Sequence, residues 1–472
     1  MSGLFTTLNS TVMALNAHSR ALETSGKNLA NVNNPDYARQ RVVYGDRGTV
    51  ETTHGAQSLG LEVLAIQQLR DLLLDRQLMR EIGLSGSYEA LQQILSRAQA
   101  ALGQGVDGNA AIDAAGSGAA AGLSAALDDF FNAFQDLAAR PTDIGARQTL
   151  LQKAAILTDR FRQTDTRLAQ VQADVDAEIA GDVGTVNALL DTVASLNAQI
   201  ARFEVNHPGS AVDLRDQREA ALEKLAAFLP VEGRDVGGGH IQVVVKDAGN
   251  ADIVLVDRAA VTGPVAFTGT GLAGGSPATA IALGSGSVQG ALDARDGAVQ
   301  QLRERLDLLA AQLVTSVNAA YNPTAAGGAD FFAPGGLTAG AIALQGGLTA
   351  AGLRAGAAGS AGDNSVAVAI AGLATRAFST GAGDRFDGTF GQFYASAVSD
   401  LGQALATANS RAEDQAGIER LVRTQRDATS GVSLDEEMAD LVKFQRAFQA
   451  SSRVFTIVDD LLDTVVNRLG RG

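Results

Sequence analysis

Few residues of this 472-residue sequence could carry out chemistry, and their spacing does not favour it. Cysteine is absent, and the four histidines, His18, His54, His207 and His240, include no pair four residues apart. A thiolate nucleophile, a cysteine-ligated metal and a zinc site built on one helix face are therefore unsupported. The sequence predicts neither a metal nor another cofactor.

Two further patterns match catalytic or cofactor motifs only superficially. The glycine run at 269–274 has the letters of a dinucleotide-binding fingerprint, but Gly-Ser-Pro follows at 275–277, where that fingerprint needs the start of a helix. The acidic pairs at 128–129 and 459–460 are helix neighbours, which point about 100° apart. We expect no enzyme; a cell-wall hydrolase is a less favoured alternative.

Charge and hydropathy exclude two kinds of partner. The net charge is −15, from 37 basic and 52 acidic residues, which disfavours binding to a polyphosphate backbone. No run of 18 strongly apolar residues is present, so no membrane insertion is expected. No charged side chain precedes Arg20, which argues against a cleaved secretory signal with its positive first region.

The first thirty residues carry a narrow apolar stripe. Leucines recur every seven residues, and a second column lies three residues before the first two of them; the stripe consists of Phe5, Leu8, Val12, Leu15, Leu22 and Leu29. Such spacing predicts a helix over 4–30 that packs along another helix. Pro35 and the asparagines before it end the helix.

The last forty residues carry a matching stripe. Its main column and its partner column consist of Leu434, Leu441, Phe448, Phe455, Leu462 and Leu469, with Phe444, Val458 and Val465. Ser433 and Glu436 form a capping box that predicts the start of this helix.

The two stripes predict that the chain ends pack together. If both helices leave the molecule at one end, they run antiparallel. Because two helices alone bury little surface, we expect the fifteen stripe residues to form an assembly interface that neighbouring subunits complete. An ordinary hairpin within one globule and a free coiled-coil adhesin are alternatives.

The middle of the chain predicts a mainly α-helical fold with a β-rich insertion. Helices are expected at 88–102, 123–139, 146–205, 290–319 and 387–425, with strands at 241–245 and 253–256. A kink or stutter is expected near Gly181 and Gly184. The predicted parts are a coiled-coil-like terminal assembly domain (1–35 and 434–472), a rod-like long-helix domain (36–232, 288–321 and 385–433), a β-rich outer insertion (233–287) and an irregular Gly/Ala-rich outer segment (322–384).

Several segments resemble the axial proteins of the bacterial flagellum, the rod, hook and hook-associated proteins. The stretch 21–37, Ala-Leu-Glu-Thr-Ser-Gly-Lys-Asn-Leu-Ala-Asn-Val-Asn-Asn-Pro-Asp-Tyr, is similar to their N-terminal motif. Other segments are closest to the hook-associated members: 38–42, 430–438, 444–451 and 458–463, with the interior pieces 213–218 and 292–296. Asn34 and Asp36 depart from the family pattern, so the turn there needs type I geometry or a positive φ at Asp36.

The resemblance implies a structural subunit at the junction between hook and filament, required for filament assembly. It implies self-assembly with neighbouring subunits, contacts with the hook protein and with a second junction protein toward the filament, and an export chaperone. It also implies an extracellular place in the flagellum, reached through the type III apparatus without a cleaved signal peptide. Another axial protein, hook, rod or filament, is the main alternative.

Overall fold

The structure, a computed structural model, describes residues 2–46, 48–52, 55–58, 60–102, 122–324, 327–357 and 362–465. Its helices are α1 (Ser2–Ala30), α2 (Leu72–Ala101), α3 (Leu123–Ala139), α4 (Ile144–Phe203), α5 (Val212–Phe228), α6 (Ser287–Asp293), α7 (Gln300–Tyr321), α8 (Ser365–Ala371), α9 (Phe390–Ser430) and α10 (Leu434–Asp463). A π-helical segment, Ala294–Val299, joins α6 to α7. The fold is mainly α-helical, as the sequence predicts.

The strands are short and antiparallel. They are β1 (Gln40–Asp46), β2 (Thr49–Thr52), β3 (Gly55–Ser58), β4 (Leu61–Gln68), β5 (Glu232–Gly237), β6 (His240–Lys246), β7 (Asp252–Asp257), β8 (Ala260–Val261), β9 (Ala266–Phe267), β10 (Leu272–Gly274) and β11 (Thr279–Ala280). Their sheets are the pairs β1–β4 and β2–β3, the four-stranded order β5-β6-β7-β8, and the three-stranded order β11-β10-β9.

The chain forms two compact units. The first comprises 1–85, 182–286 and 415–472, and the second comprises 86–181 and 287–414. The division within α4 falls between Gly181 and Asp182, beside the predicted kink, yet α4 continues as an α-helix through both glycines. The predicted four-part domain organisation stays a prediction.

The first unit contains a β-structure that the sequence analysis missed. Strands β1 to β4 lie within the segment 36–232, which was assigned to a helical domain. One signal in the sequence could have predicted β4. Leu61, Val63 and Ala65 are partly buried and alternate with exposed residues such as Glu62, because side chains of a strand point to opposite faces in turn.

The β-rich insertion of the first unit is seated on helix α4 by a fully buried amide. Asn197 donates from Nδ2 to the carbonyl oxygens of Ile241, at 2.8 Å, and Arg258, at 2.6 Å. Its Oδ1 accepts the Ile241 N–H at 3.3 Å and Arg218 Nη1 at 2.8 Å. The strands expected at 241–245 and 253–256 are confirmed as the inner strands β6 and β7.

The second unit has an aromatic core. Phe331, from the Gly/Ala-rich segment, has no exposed surface, and its ring centroid lies 5.9 Å from that of Phe130, 5.5 Å from Phe134 and 5.4 Å from Tyr321. Phe332 lies beside it, at 5.0 Å. Part of the segment expected to consist of loops and short strands is therefore anchored against α3 and α7.

The end of α1 and the start of α10 lie where the sequence predicts. Helix α1 ends at Ala30, and α10 starts at Leu434 with Ser433 in the N-cap position. The capping box does not form, because the Ser433 side chain makes no capping hydrogen bond. Helix α10 extends to Asp463, and Leu469 lies outside the described residues. In the ranges given above, no helix meets the length and hydropathy needed to cross a membrane.

The aromatic core gives a first prediction. We expect Phe331→Ala to destabilise the second unit by about 3–5 kcal/mol, since it empties a fully buried ring site. Urea unfolding of the purified chain measures the loss. Phe203→Ala is the control, because Phe203 is 64% exposed; its effect should stay within about 0.5 kcal/mol. Equal effects from the two substitutions would contradict this account of the core.

Candidate assembly site

Helices α1 and α10 pack against each other and run in opposite directions. Arg39, which follows α1 after a short connection, donates its backbone N–H to the Ser430 carbonyl at 2.8 Å, just before α10 begins. The end of α1 and the start of α10 therefore lie together, and α10 returns along α1 toward its N-terminus. The sequence analysis reached the same arrangement from the two stripes.

The residues that α1 buries most completely are small rather than leucines. Ala17, Ala21, Thr24 and Asn28, spaced by four, three and four residues, are each at most 4% exposed. Helix α1 packs on β1 and β4 as well as on α10, and small side chains let these elements approach its backbone. The predicted residues remain more open: Leu8, Leu15, Leu22 and Leu29 are partly exposed, and Phe5 and Val12 are exposed.

Helix α10 buries little of its stripe. Val458 and Leu462 are buried; Leu441, Phe444, Phe455 and Val465 are partly exposed, and Leu434 and Phe448 are exposed. The structure brings these residues onto one side of a helix, and their role in assembly stays a prediction.

The structure also shows exposed apolar residues on α10 that the sequence analysis did not single out. This set, the outer apolar residues, lies off the predicted stripe and consists of Met438, Val442, Val454, Ile457 and Leu461. Their spacings are four, twelve, three and four residues, a less regular pattern in the sequence than the seven-residue repeat beside them.

A single arginine fixes the start of α10. Arg39 donates from Nε to Glu437 at 2.7 Å and from Nη1 to Glu436, and its Nη2 lies 3.8 Å from Asp440. Glu437 is only 1% exposed, so its charge has been taken out of water. Removing either partner of such a pair leaves an uncompensated buried charge. We call Arg39 and the three carboxylates the Arg39 clamp.

The connection from α1 to β1 is fixed by Asn28. Its Nδ2 donates to the Gln40 carbonyl at 2.8 Å, and its Oδ1 accepts the Tyr37 hydroxyl at 2.8 Å and the Gln40 N–H at 3.0 Å. The Tyr37 N–H also bonds to the Asn34 carbonyl at 3.2 Å, which closes the turn around Pro35. Asp36 has no positive φ, so the type I alternative fits this turn.

The interior motif 213–218 ties this region to helix α5. Asp213 accepts Lys27 Nζ at 2.7 Å and Gln40 Nε2 at 2.9 Å, and hydrogen bonds from these donors lower its pKa although burial opposes the shift. Asp216 pairs with Arg70 at 2.7 Å. The charged positions of the motif thus hold neighbouring elements in place.

The chemistry-bearing residues stay apart. Among the described residues, no group of three or more histidines and carboxylates could hold a metal ion. His18, His207 and His240 come from α1, a loop and β6, and His54 lies outside the described residues. The glycine pattern at 269–274 runs into strand β10, not into a helix. Asp129 is engaged by Lys153 at 2.7 Å.

Comparison with known proteins gives a consistent family. Residues 110–332 match the model of the flagellar hook-associated protein FlgK helical domain, and residues 424–469 match that of the flagellar basal body rod FlgEFG protein C-terminal region. Flagellar hook-associated protein 1 of Bacillus subtilis is 26% identical, with 100% of each chain covered. Its namesake in Escherichia coli is 24% identical, covering 98% of this chain and 99% of the relative.

A solved structure is also similar, that of the flagellar hook junction protein FlgK from Burkholderia pseudomallei. It has a TM-score of 0.45 at 20% identity and covers 55% of this chain and 46% of that one.

The two family models place the chain among the structural, axial proteins of the bacterial flagellum. Within that class, the chain is similar over nearly its whole length to flagellar hook-associated protein 1, the name that the full-length relatives share.

The Arg39 clamp yields the next prediction. We expect Arg39→Gln to weaken the joint between α1 and α10 by about 3 kcal/mol, because Glu437 would remain buried without its cation. Hydrogen exchange should show faster exchange in the first turns of α10. Arg41→Gln is the control, since Arg41 is exposed on β1. Unchanged α10 protection in the Arg39 variant would show that the clamp does not hold the helix.

Proposed function

We propose that this chain is the subunit that joins the hook to the filament of the bacterial flagellum and that filament assembly requires it. The observation that carries the proposal is the pairing of α1 with α10, which leaves large apolar side chains in solvent on both helices. The full-length similarity to proteins named flagellar hook-associated protein 1 supports it.

The mechanism is assembly through the surface that the helix pair leaves open. Phe5 is 55% exposed and Leu434 is 51% exposed, and both belong to the predicted stripes. Full burial of one such side chain is worth about 1.5–3 kcal/mol. A neighbour that covers several stripe residues from one helix pair would therefore gain enough free energy to stay bound, and a repeated, head-to-tail contact builds a tube or ring.

The partners follow from the junction role. Copies of this chain flank each subunit, the hook protein lies on one side, and a second junction protein lies on the filament side. A chaperone covers the C-terminal helix before export through the type III apparatus, which delivers the chain to its extracellular place.

The relatives favour a hook-associated subunit over a hook, rod or filament subunit. The rod-type match is confined to residues 424–469 and therefore marks a terminal segment that axial proteins have in common. The hook-associated matches extend over nearly the whole chain.

The stripe on α10 gives the prediction that tests this function. In a strain lacking the gene, electron microscopy should show bare hooks, with flagellin monomers in the medium. We expect the wild-type chain to restore filaments and the double variant Leu441→Asp, Phe448→Asp to be secreted, folded and unable to do so. Two buried charges would oppose any apolar contact at the stripe.

A matched control is Gln449→Asp with Thr456→Asp, two exposed positions of α10 with the same seven-residue separation. Each of them directly follows a stripe residue and therefore points about 100° away from it. This variant adds the same charge off the stripe and should restore filaments. Full complementation by the stripe variant would refute the assignment of these residues to assembly. Filaments in the deletion strain itself would instead refute the junction role.

A further inference from the structure

The first unit contains a group of buried charges that the helix pair does not explain. A cavity of about 360 Å³ has Arg70, Asp75, Arg218 and Glu219 in its wall. Further charged side chains adjoin these four. The whole set, which we call the buried charge cluster, consists of Asp75, Asp216, Glu219 and Glu223 with Arg70, Arg218 and Arg426. Four of the seven are buried, and Arg70, Glu219 and Glu223 are partly exposed.

The cluster has one more carboxylate than it has guanidinium groups. Two close pairs use two of the arginines: Arg70 with Asp216 at 2.7 Å, and Arg426 with Glu223 at 2.7 Å. Arg426 also contacts the more exposed Asp427 at 3.2 Å, so it has no charge to spare for the rest of the cluster. Asp75 is 3% exposed and lies 3.6 Å from Arg70, which is already paired. A buried excess charge is costly, and a carboxylate in that position takes up a proton instead.

The third arginine, Arg218, does not pair directly with the unpaired negative charge of the cluster. Arg218 is 5% exposed and donates from Nη1 to Asn197 Oδ1 at 2.8 Å and to the Gly239 carbonyl at 2.7 Å. Neither Asp75 oxygen has a hydrogen-bond partner among the residues that the structure describes. Glu219, which is partly exposed, borders the same cavity and accepts no hydrogen bond from the described part of the chain. Asp75 and Glu219 are thus the two carboxylates of the cluster without a guanidinium at hydrogen-bond distance, and one bound proton would balance the charge.

We propose that the cluster holds one proton near neutral pH, chiefly on Glu219, and that releasing it loosens the connection between α1 and β1. The inference concerns the isolated chain and does not depend on the junction role.

The electrostatic surroundings agree with this assignment. Burial, as the largest cause, raises the pKa of Glu219 to about 7, with Asp75 and Glu223 adding to the shift and Arg70 and Arg218 opposing it. Burial also raises the pKa of Asp75, Asp216 and Glu223. Other charged groups also lie around the cluster, on α5, α2, the segment before α2, β5, α9 and the loop after α4. They are Arg215, Arg76, Asp71, Asp235, Arg423, Asp427 and Glu204.

The cluster holds the connection through its backbone contacts. Arg426 Nη2 donates to the Pro35 carbonyl at 3.2 Å. The Ala38 N–H points to Asp216 Oδ2 at 3.5 Å, and Arg70 Nη2 lies 3.5 Å from the Asp36 carbonyl. The same side chains that balance the buried charge therefore position residues 35–38, and a new negative charge would draw the arginines away from these carbonyls.

The direction of the pH effect follows from the raised pKa. Glu219 has an ordinary value of 4.5 when unfolded and about 7 when folded, so the folded state binds the proton more tightly. The stabilisation is therefore complete below the unfolded value and is lost as the pH rises toward the folded one. This is the reverse of a carboxylate in a strong salt bridge, which stabilises at higher pH.

Hydrogen exchange at pH 6 and pH 8, corrected for intrinsic exchange rates, tests the proposal on the full chain. We expect amides of 35–40, α1 and α10 to lose protection at pH 8 in the wild type. Glu219→Gln, which stays neutral, should give the same protection at both pH values. Glu62→Gln, at an exposed position of β4, should keep the wild-type difference. Equal wild-type protection at both pH values would overturn the proposal, as would a Glu219→Gln variant that behaves like wild type.

A second measurement does not depend on how well the variant folds. The infrared difference spectrum of the wild-type chain between pH 6 and pH 8 should show loss of a protonated-carboxyl band, although ordinary carboxyl groups are already ionised at pH 6. No such band would mean that no carboxyl titrates in this range and would also overturn the proposal.

Discussion

The return of the last helix to the first is the constraint on which the first unit depends. Glu437 is buried at the start of α10 and needs a cation, and that cation is Arg39, which comes directly after the turn that ends α1. Both ends of the chain must therefore meet at one place before the carboxylate can be buried. Asn28 fixes the same turn through three hydrogen bonds, so the position of α10 and the path of the chain leaving α1 are set together.

Small side chains explain why the helix pair leaves apolar side chains exposed. Ala17 and Ala21 fill the most buried face of α1, while Leu15 and Leu22 lie partly in solvent beside it. A column of alanines gives close approach but removes little apolar area from water, so the packing within one chain does not use the leucines fully. The apolar surface that remains belongs to residues whose seven-residue spacing suits contact with another helix.

Local patterns predicted the ends of the terminal helices well and the tertiary contacts poorly, and they missed the first half of α2, which begins at Leu72 rather than at the expected residue 88. The seven-residue repeats and the Pro35 and Ser433 signals located the end of α1 and the start of α10, because helix termini depend on a few neighbouring residues. The pairing of Arg39 with Glu437 could not be predicted in this way, since 398 positions separate the two residues. Strand β4 was missed for a different reason: its alternating pattern is short and lies between two long helices.

Charged and apolar groups have different tasks in this region. The exposed pair between Lys27 and Asp213 contributes at most about 1 kcal/mol, because water competes for both groups. The pairs at Arg39 and Arg426 are more deeply buried, and they hold particular carbonyls and carboxylates at the two places where the chain leaves α1 and enters α10. Buried ion pairs of this kind add little net stability compared with an apolar core, but they are favourable only when the charged groups keep one particular relative position. The polar contacts therefore fix how the helix pair is oriented, and the assembly we propose would draw its free energy from the apolar side chains that the pair leaves exposed.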